Sequence, residues 1–240
     1  MAKVTVSGNP LLFTKAAVLD TRKHRQWTIA TPGNFSHCKG HRFLPILLTE
    51  FSNVALEQPI VFVADQDLIV PIVVLGLGAE ENLFVDDDAW SGRYVPAYAR
   101  MYPFILAPRR DRDDYSVCID EDYPGFKGEQ GTNLFDEDGG QSEFTQKAVA
   151  FASEYQRQRE QSLKFTAQIQ KLGLLEQANF SSINGSIAPV GGFMTINRDK
   201  LGALGEDDVN ALFSDGALEL IYLQLASLSN FERLVEVSQQ

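Results

Sequence analysis

Two apolar runs separated by one short polar turn constrain the fold of this 240-residue chain more than any other feature. Residues 60–63 are β-branched or aromatic, residues 68–75 are aliphatic, and Asp65-Gln66-Asp67 lies between the two runs. This composition predicts two strands joined in a hairpin. Because neither run alternates with polar residues, we expect both strands to lie in the centre of a sheet that is covered on both faces.

A long amphipathic segment later in the chain supplies a cover for such a sheet. Apolar side chains between residues 143 and 172 recur at the three- and four-residue spacing of one helix face, and Gly173 ends the pattern. They are Phe144, Ala148, Phe151, Tyr155, Phe165, Ile169 and Leu172. Gln158 and Ser162 divide this face into two apolar anchors, so a protein partner or self-association is an alternative to packing within one chain.

The order of the predicted elements favours an α+β fold. Strand candidates follow one another between about residues 24 and 120, whereas residues from about 143 to 237 have helical patterns, with a last helix over residues 217–237. We therefore predict a mostly antiparallel sheet covered by the long amphipathic helix and by C-terminal helices. We expect residues 1–240 to form a single domain, and residues 82–85 to return to the sheet after the glycines at 76 and 78.

The densest cluster of aromatic and arginine residues lies between residues 83 and 104. These 22 residues include one Trp, three Tyr, two Phe and two Arg, side chains that anchor interfaces and stack on one another. The candidate ligand-binding residues are Trp90, Arg93, Tyr94 and Arg100. The two arginines either pair with the acids at 86–88 and fix the loop, or hold a carboxylate or phosphate beside Trp90.

Three short motifs resemble metal or phosphate sites, but each is incomplete. His37-Cys38-Lys39-Gly40-His41 offers fewer ligands than a zinc site needs. Gly76-Leu77-Gly78 has Glu81 where a dinucleotide loop has its third glycine, and Asp136-Glu137-Asp138-Gly139 lacks the acid spacing of a calcium loop. No nucleophile is paired with a general base in a recognisable motif. We therefore predict no catalytic residue, no metal and no cofactor, and the sequence leans away from an enzyme.

The charge of the chain argues against nucleic-acid binding. The net charge is −11, and binding to phosphate backbones requires clustered Lys and Arg. Residues 1–50 carry seven Lys/Arg against two Asp/Glu, whereas residues 80–143 carry six against sixteen. No apolar run approaches the roughly 18 residues of a membrane span, and the first residues lack the pattern of a secretory signal. We expect a soluble, cytoplasmic protein, with signal-independent export left open.

Several segments together resemble the bacterial SapC family. The most specific are Trp90, Tyr94-Val95-Pro96-Ala97, Arg100 and Tyr102-Pro103-Phe104. The remaining pieces include residues 44–51, 59–62, 76–85, 133–136, 192–204 and 216–234, so the resemblance extends over most of the chain from about Leu44 onward. The family name comes from surface-layer proteins, and its members are often encoded beside outer-membrane receptors.

Two functional hypotheses remain open at this point. The resemblance is to a family without an established reaction, which implies a non-enzymatic binding or accessory protein with a surface-layer or outer-membrane-receptor association. The alternative is an enzyme or a small-ligand-binding protein whose pocket is formed by residues 90–100. The identity of a small-molecule ligand cannot be read from the residues.

Overall fold

The computed structural model describes residues 10–30, 34–78, 81–108, 114–126, 131–181 and 190–239. Within these ranges the chain divides into two compact units, each named here after its largest sheet: a five-strand unit, residues 35–97 and 158–239, and a three-strand unit, residues 10–34 and 98–157. All strand pairs among the described residues are antiparallel, and the α+β prediction is confirmed. The expectation of a single domain stays a prediction.

The elements follow one another in a mixed order. The strands are β1 (Ala16–Val18), β2 (Thr28–Ile29), β3 (Phe43–Pro45), β4 (Ile60–Asp65), β5 (Leu68–Val74), β6 (Val85–Asp86), β7 (Ala89–Trp90), β8 (Phe104–Pro108), β9 (Tyr115–Asp120), β10 (Thr132–Asn133), β11 (Leu175–Phe180) and β12 (Val190–Ile196). The helices are α1 (Thr21–His24), α2 (Phe51–Val54), α3 (Ala97–Met101), α4 (Glu143–Lys171), α5 (Arg198–Gly202), α6 (Glu206–Ser214), α7 (Ala217–Ser227) and α8 (Asn230–Ser238). Single 3-10 turns occupy Ser36–Cys38 and Leu48–Glu50.

The predicted central hairpin is the middle of the five-strand unit. The strand order is β11-β12-β4-β5-β3, and β4 pairs with β5 along its whole length, from Ile60 opposite Val73 to Asp65 opposite Leu68. Side chains on both faces of these strands are buried, as the absence of polar alternation predicts. The sheet therefore has a fully apolar centre with shorter or more polar strands at its edges.

Helix α4 was predicted to within one residue, and its polar interruption has a structural use. Ser162 is buried and accepts a hydrogen bond from the Leu48 backbone N–H at 3.2 Å, while the Thr49 hydroxyl donates to Gln158 Oε1 at 2.6 Å. One helical turn further on, the Phe165 ring packs against Phe51 and Phe62, with ring centroids 6.3 and 6.4 Å apart. Gln158 and Ser162 thus hold the 3-10 turn Leu48–Glu50 against α4.

A buried glutamine on α7 joins the two halves of the five-stranded sheet. Strands β12 and β4 share a single register pair, Met194 opposite Phe62. Gln224, which is fully buried, donates from Nε2 to the Ile60 carbonyl at 2.9 Å and accepts at Oε1 from the Ile196 N–H at 3.3 Å. Its amide therefore satisfies backbone groups of both strands where their own ladder is short.

We predict that Gln224→Ala lowers the free energy of unfolding by about 2 kcal/mol or more, because it leaves a buried carbonyl and a buried N–H without partners. Chemical denaturation measures the loss. The control is Gln161→Ala, which removes an exposed glutamine from α4. Equal stabilities of the two variants would contradict this role for Gln224.

The three-strand unit is built around the sheet β1-β9-β8. Its buried apolar cluster draws on this sheet and on the loops that follow it, with Trp27, Tyr102 and Phe144 packed at the margin. The cluster comprises Ile29, Phe104, Ile119, Tyr123, Phe126, Leu134 and Phe135. Aromatic rings meet edge to face within it, as at Tyr123 and Phe126, whose centroids are 5.2 Å apart.

A buried carboxylate at the end of β9 collects three cationic or potentially cationic groups. Glu121 contacts the Lys15 ammonium at 3.1 Å, the Lys23 ammonium, and His24 Nε2 at 3.0 Å. His24 Nδ1 accepts the Asp20 backbone N–H, so Nε2 carries the proton that is donated to Glu121. The hydrogen bond from Lys23, reinforced by His24 and Lys15, lowers the pKa of Glu121 to about 2.

This shift predicts the direction of the response to acid. Because the pKa of Glu121 lies below its ordinary value of 4.5 when the chain is folded, its stabilisation is complete above pH 4.5 and is lost as the pH falls toward 2. We therefore expect Glu121→Gln to lower the melting temperature at pH 7 and the difference from wild type to shrink across this window. Glu137→Gln, at an exposed position, is the control. A difference that stays constant down to pH 2 would contradict the assignment.

Candidate functional site

The aromatic stretch begins on a small separate hairpin. Strand β6 pairs with β7 in a two-stranded ribbon and, within the described part of the chain, does not join the five-stranded sheet. The expected return of residues 82–85 to the sheet is therefore wrong. The two turn residues, Asp87 and Asp88, have φ values of +43° and +66°, the left-handed pair that a two-residue hairpin turn requires.

Contacts with the two residues that flank the 3-10 turn Ser36–Cys38 hold the tip of this hairpin. The Lys39 ammonium lies 2.7 Å from Asp88 Oδ1, and the Phe35 N–H donates to the Asp88 carbonyl at 2.6 Å. Asp88 is one of the three acids, at residues 86–88, that the sequence offered as partners for the arginines of the aromatic stretch. In the structure a lysine from outside the stretch contacts it.

Trp90 ends the hairpin in an aromatic cluster. Its ring stacks on Phe84, with centroids 5.9 Å apart and planes 22° apart, and meets Phe35 edge to face at 5.8 Å. The indole Nε1 is buried and has no hydrogen-bond partner among the described residues. A Cβ on Gly92 would lie 2.9 Å from this nitrogen and 3.0 Å from Glu57 Oε1, so the two atoms are within about 6 Å of each other and the position excludes a side chain.

Two buried glutamates fix the backbone that follows. Glu57 Oε1 accepts the N–H groups of Arg93 at 2.5 Å and Tyr94 at 3.4 Å. Glu50 Oε1 accepts the Ala97 N–H at 2.7 Å and the Tyr94 hydroxyl at 3.0 Å. Both glutamates are only 2% exposed. We call residues 93–97 the clamped segment, because carboxylates from outside it satisfy three of its amides.

Helix α2 explains why both carboxylates reach this segment. Glu50 directly precedes α2 and Glu57 follows it by three residues, while Phe51 and Val54 between them are fully buried. Glu50 also accepts the Leu47 N–H at Oε2, 2.7 Å away, which fixes its own side chain. Ala97 opens α3, so its N–H is one of the first-turn donors without a partner inside the helix, and a carboxylate is a favourable acceptor there.

The structure groups three of the four predicted site residues. Trp90, Arg93 and Tyr94 belong to the five-strand unit and surround Glu57 or Glu50, and the Arg93 side chain is exposed. Arg100 belongs to the three-strand unit, where its guanidinium carbon lies 5.3 Å from the centre of the Phe151 ring. That geometry is a cation–π contact on helix α4.

Sequence reasoning did not find the two glutamates or Arg233, whose Nη2 lies 3.7 Å from Glu57 Oε2. One signal was present: Glu57 and Gln58 stand inside an otherwise apolar run that continues into β4. Acids in such a run are buried only when they have partners. The partners of Glu57 could not be identified from the sequence, because the two amides that donate hydrogen bonds to it are 36 and 37 residues away.

The incomplete metal and phosphate motifs have structural explanations. Cys38 is fully buried, and burial raises the pKa of its thiol to about 12, which disfavours the thiolate that binds metals. Gly78 donates its N–H to the Glu81 carboxylate at 3.2 Å, and a Cβ on Gly76 would lie 2.0 Å from the Glu81 carbonyl oxygen. Among the residues that the structure covers, no three His, Cys, Asp or Glu side chains lie together as a metal site.

The fold is α+β, and buried carboxylates hold the backbone of the clamped segment while the Arg93 side chain is exposed. A model of the SapC family matches residues 19–234, so the chain belongs to the SapC family. The match begins earlier than the resemblance read from residue 44 onward. No curated protein and no solved structure matches the chain.

No single helix in the described ranges is long and apolar enough to span a membrane. Glu206–Ser214 and Ala217–Ser238 reach the required length and apolar content only when they are taken together, and they are bent by 89°.

We predict that Glu50→Ala lowers the free energy of unfolding by roughly 3 kcal/mol, because the N–H groups of Leu47 and Ala97 and the Tyr94 hydroxyl lose their acceptor. Glu50→Gln keeps one acceptor oxygen and should lose less. Chemical denaturation gives the stabilities, and hydrogen exchange at the Ala97 amide reports the local effect. Glu160→Ala, at an exposed site on α4, is the control. Unchanged exchange at Ala97 in Glu50→Ala would refute the clamp.

Proposed function

We propose that this protein is a non-enzymatic binding or accessory protein whose contact surface is formed by Trp90, Arg93 and Tyr94, the Trp90 surface. One observation carries the proposal: buried Glu57 accepts the backbone N–H groups of Arg93 and Tyr94, and buried Glu50 accepts the Tyr94 hydroxyl and the Ala97 N–H, while the Arg93 side chain stays exposed. Buried charge is retained only where hydrogen bonds compensate for lost solvation. Here those hydrogen bonds fix the backbone that carries Arg93 and Tyr94.

The chemistry of these residues fits a protein contact. Trp, Tyr and Arg are the side chains that most often dominate binding energy at interfaces, and a rigid backbone reduces the entropy lost on association. Arg233 adds a second guanidinium group to that of Arg93. Its Nη2 lies 3.7 Å from Glu57 Oε2, and its side chain is 49% exposed. The Trp90 surface therefore suits a partner that offers carboxylates around an apolar or aromatic centre.

Family membership supports the choice of partner class. The SapC resemblance associates such proteins with surface layers and outer-membrane receptors, and we propose a protein of that kind as the partner. We further propose that the protein acts in the cytoplasm, with signal-independent export as the route for any contact outside it. Arg100, on the three-strand unit, is proposed as an additional contact residue.

Site-specific cross-linking tests the proposal. A photoreactive residue at exposed Ser91 should cross-link one partner protein in cells, and Arg93→Ala should abolish that product without lowering the melting temperature, because the clamp uses the Arg93 backbone and not its side chain. A photoreactive residue at exposed Val18, in the three-strand unit, is the matched control. A cross-link that persists in Arg93→Ala, or none at Ser91, would reject the Trp90 surface as the contact.

The buried Trp90 N–H supports a second candidate, a small-ligand site. An indole donor without a partner among the described residues, three positions before exposed Arg93 in the chain, offers a hydrogen bond to a carboxylate or phosphate group, and Arg93 offers a charge. In a Trp27→Phe background the fluorescence reports Trp90 alone, and titration with acetate or phosphate should shift it saturably. If neither anion changes the Trp90 fluorescence, or if the change is the same in Arg93→Ala, this candidate is removed.

A further inference from the structure

Two C-terminal helices expose aromatic side chains that the fold does not use. Phe213 on α6 is 74% exposed and Tyr222 on α7 is 53% exposed. Val209, one turn before Phe213, is 37% exposed, and α6 packs against α7. Isolated exposed apolar residues are common, but Val209 and Phe213 share one helix face, so their exposure is not scattered.

The packing of α6 leaves this face open. Leu212 is the buried residue of the helix, and its other eight residues are exposed. Glu206, Val209 and Phe213 follow the three- and four-residue spacing of one face, and Glu219, Tyr222 and Ala226 repeat that arrangement on α7. On each helix one exposed face therefore begins with an acid and continues, toward the C-terminus, with apolar or aromatic side chains. We call these two faces the C-terminal surface.

The charge around the C-terminal surface is strongly negative. Residues 205–227, which carry α6 and α7, contain five Asp or Glu and no Lys or Arg, a charge of −5 against a net −11 for the whole chain. The acids are Glu206, Asp207, Asp208, Asp215 and Glu219. Nearly half of the net negative charge thus lies in the segment that carries Phe213 and Tyr222, the two most exposed aromatic side chains among the described residues.

We propose that the C-terminal surface docks a cationic amphipathic helix of a partner protein. Such a helix places apolar residues against Phe213, Val209 and Tyr222 while its Lys or Arg residues face the acids, so both features of the surface are satisfied. A second copy of this chain would bring two negative surfaces together, and an anionic lipid surface would repel the acids. Charge complementarity therefore selects a basic helical segment among the possible occupants.

Fluorescence anisotropy with a designed peptide tests this docking. The probe is a labelled synthetic helix with leucine on one face and lysine on the other, and we expect it to bind the full chain with an affinity that falls as salt rises. Phe213→Ser should weaken binding roughly tenfold or more, since it removes the largest exposed apolar side chain. Asp207→Asn with Asp208→Asn should weaken binding less and reduce the salt dependence.

The controls separate this surface from general attraction to an acidic protein. Val18→Ser removes a side chain that is 57% exposed in the three-strand unit and should leave the affinity unchanged. Arg93→Ala should also leave it unchanged, which distinguishes this surface from the Trp90 surface. Equal affinity of the probe for wild type and for Phe213→Ser would overturn the proposal. Equal affinity of wild type for a peptide with glutamate in place of lysine would also overturn it. Phe213-dependent dimerisation in light scattering, or Phe213-dependent binding to lipid vesicles, would overturn it in favour of another occupant.

Discussion

The interaction between buried carboxylates and backbone amides at residues 93–97 determines what the aromatic stretch of this protein can present. A loop that carries Trp, Tyr and Arg has no regular ladder to satisfy its N–H groups, and unpaired buried amides are destabilising. Glu50 and Glu57 supply the missing acceptors from the two ends of α2, and Phe51 and Val54 anchor that helix in the core. The conformation of the segment is therefore set by residues about 40 positions earlier in the chain.

The acidic residues of the chain consequently have two different physical roles. In the interior, Glu50, Glu57 and Asp120 accept backbone N–H groups, and Glu121 is surrounded by two lysines and a histidine, so each replaces lost hydration with hydrogen bonds. At the C-terminal end, the acids of α6 are exposed on the same helix as exposed Val209 and Phe213. Net charge alone predicts solubility and repulsion of nucleic acids, and it cannot distinguish these two uses.

The parts of the fold that the sequence predicted have strong local signals. Strands β4 and β5 are continuously apolar, and α4 has a long periodic face, so both were placed correctly. Strand β11 was not predicted, because Glu176, Gln177 and Asn179 interrupt it with polar residues and an edge strand needs no apolar face. The expected last helix is two helices, α7 and α8, separated at residues 228–229. The glutamate partners of the site depend on contacts far apart in sequence, which periodicity does not encode.

The contact between α8 and Glu57 shows which bonds hold the backbone of the clamped segment. Glu57 binds the Arg93 N–H at 2.5 Å through one oxygen, whereas its other oxygen lies 3.7 Å from the half-exposed guanidinium of Arg233. At 3.7 Å, and with its guanidinium half-exposed, this ion pair is weaker than the short charge-assisted hydrogen bond from the Arg93 N–H. The position of α8 is set instead by Phe231, Leu234 and Val235, which are buried. Glu57 therefore holds the segment through one oxygen and contacts α8 through the other, so one buried carboxylate links the backbone at Arg93 to the last helix.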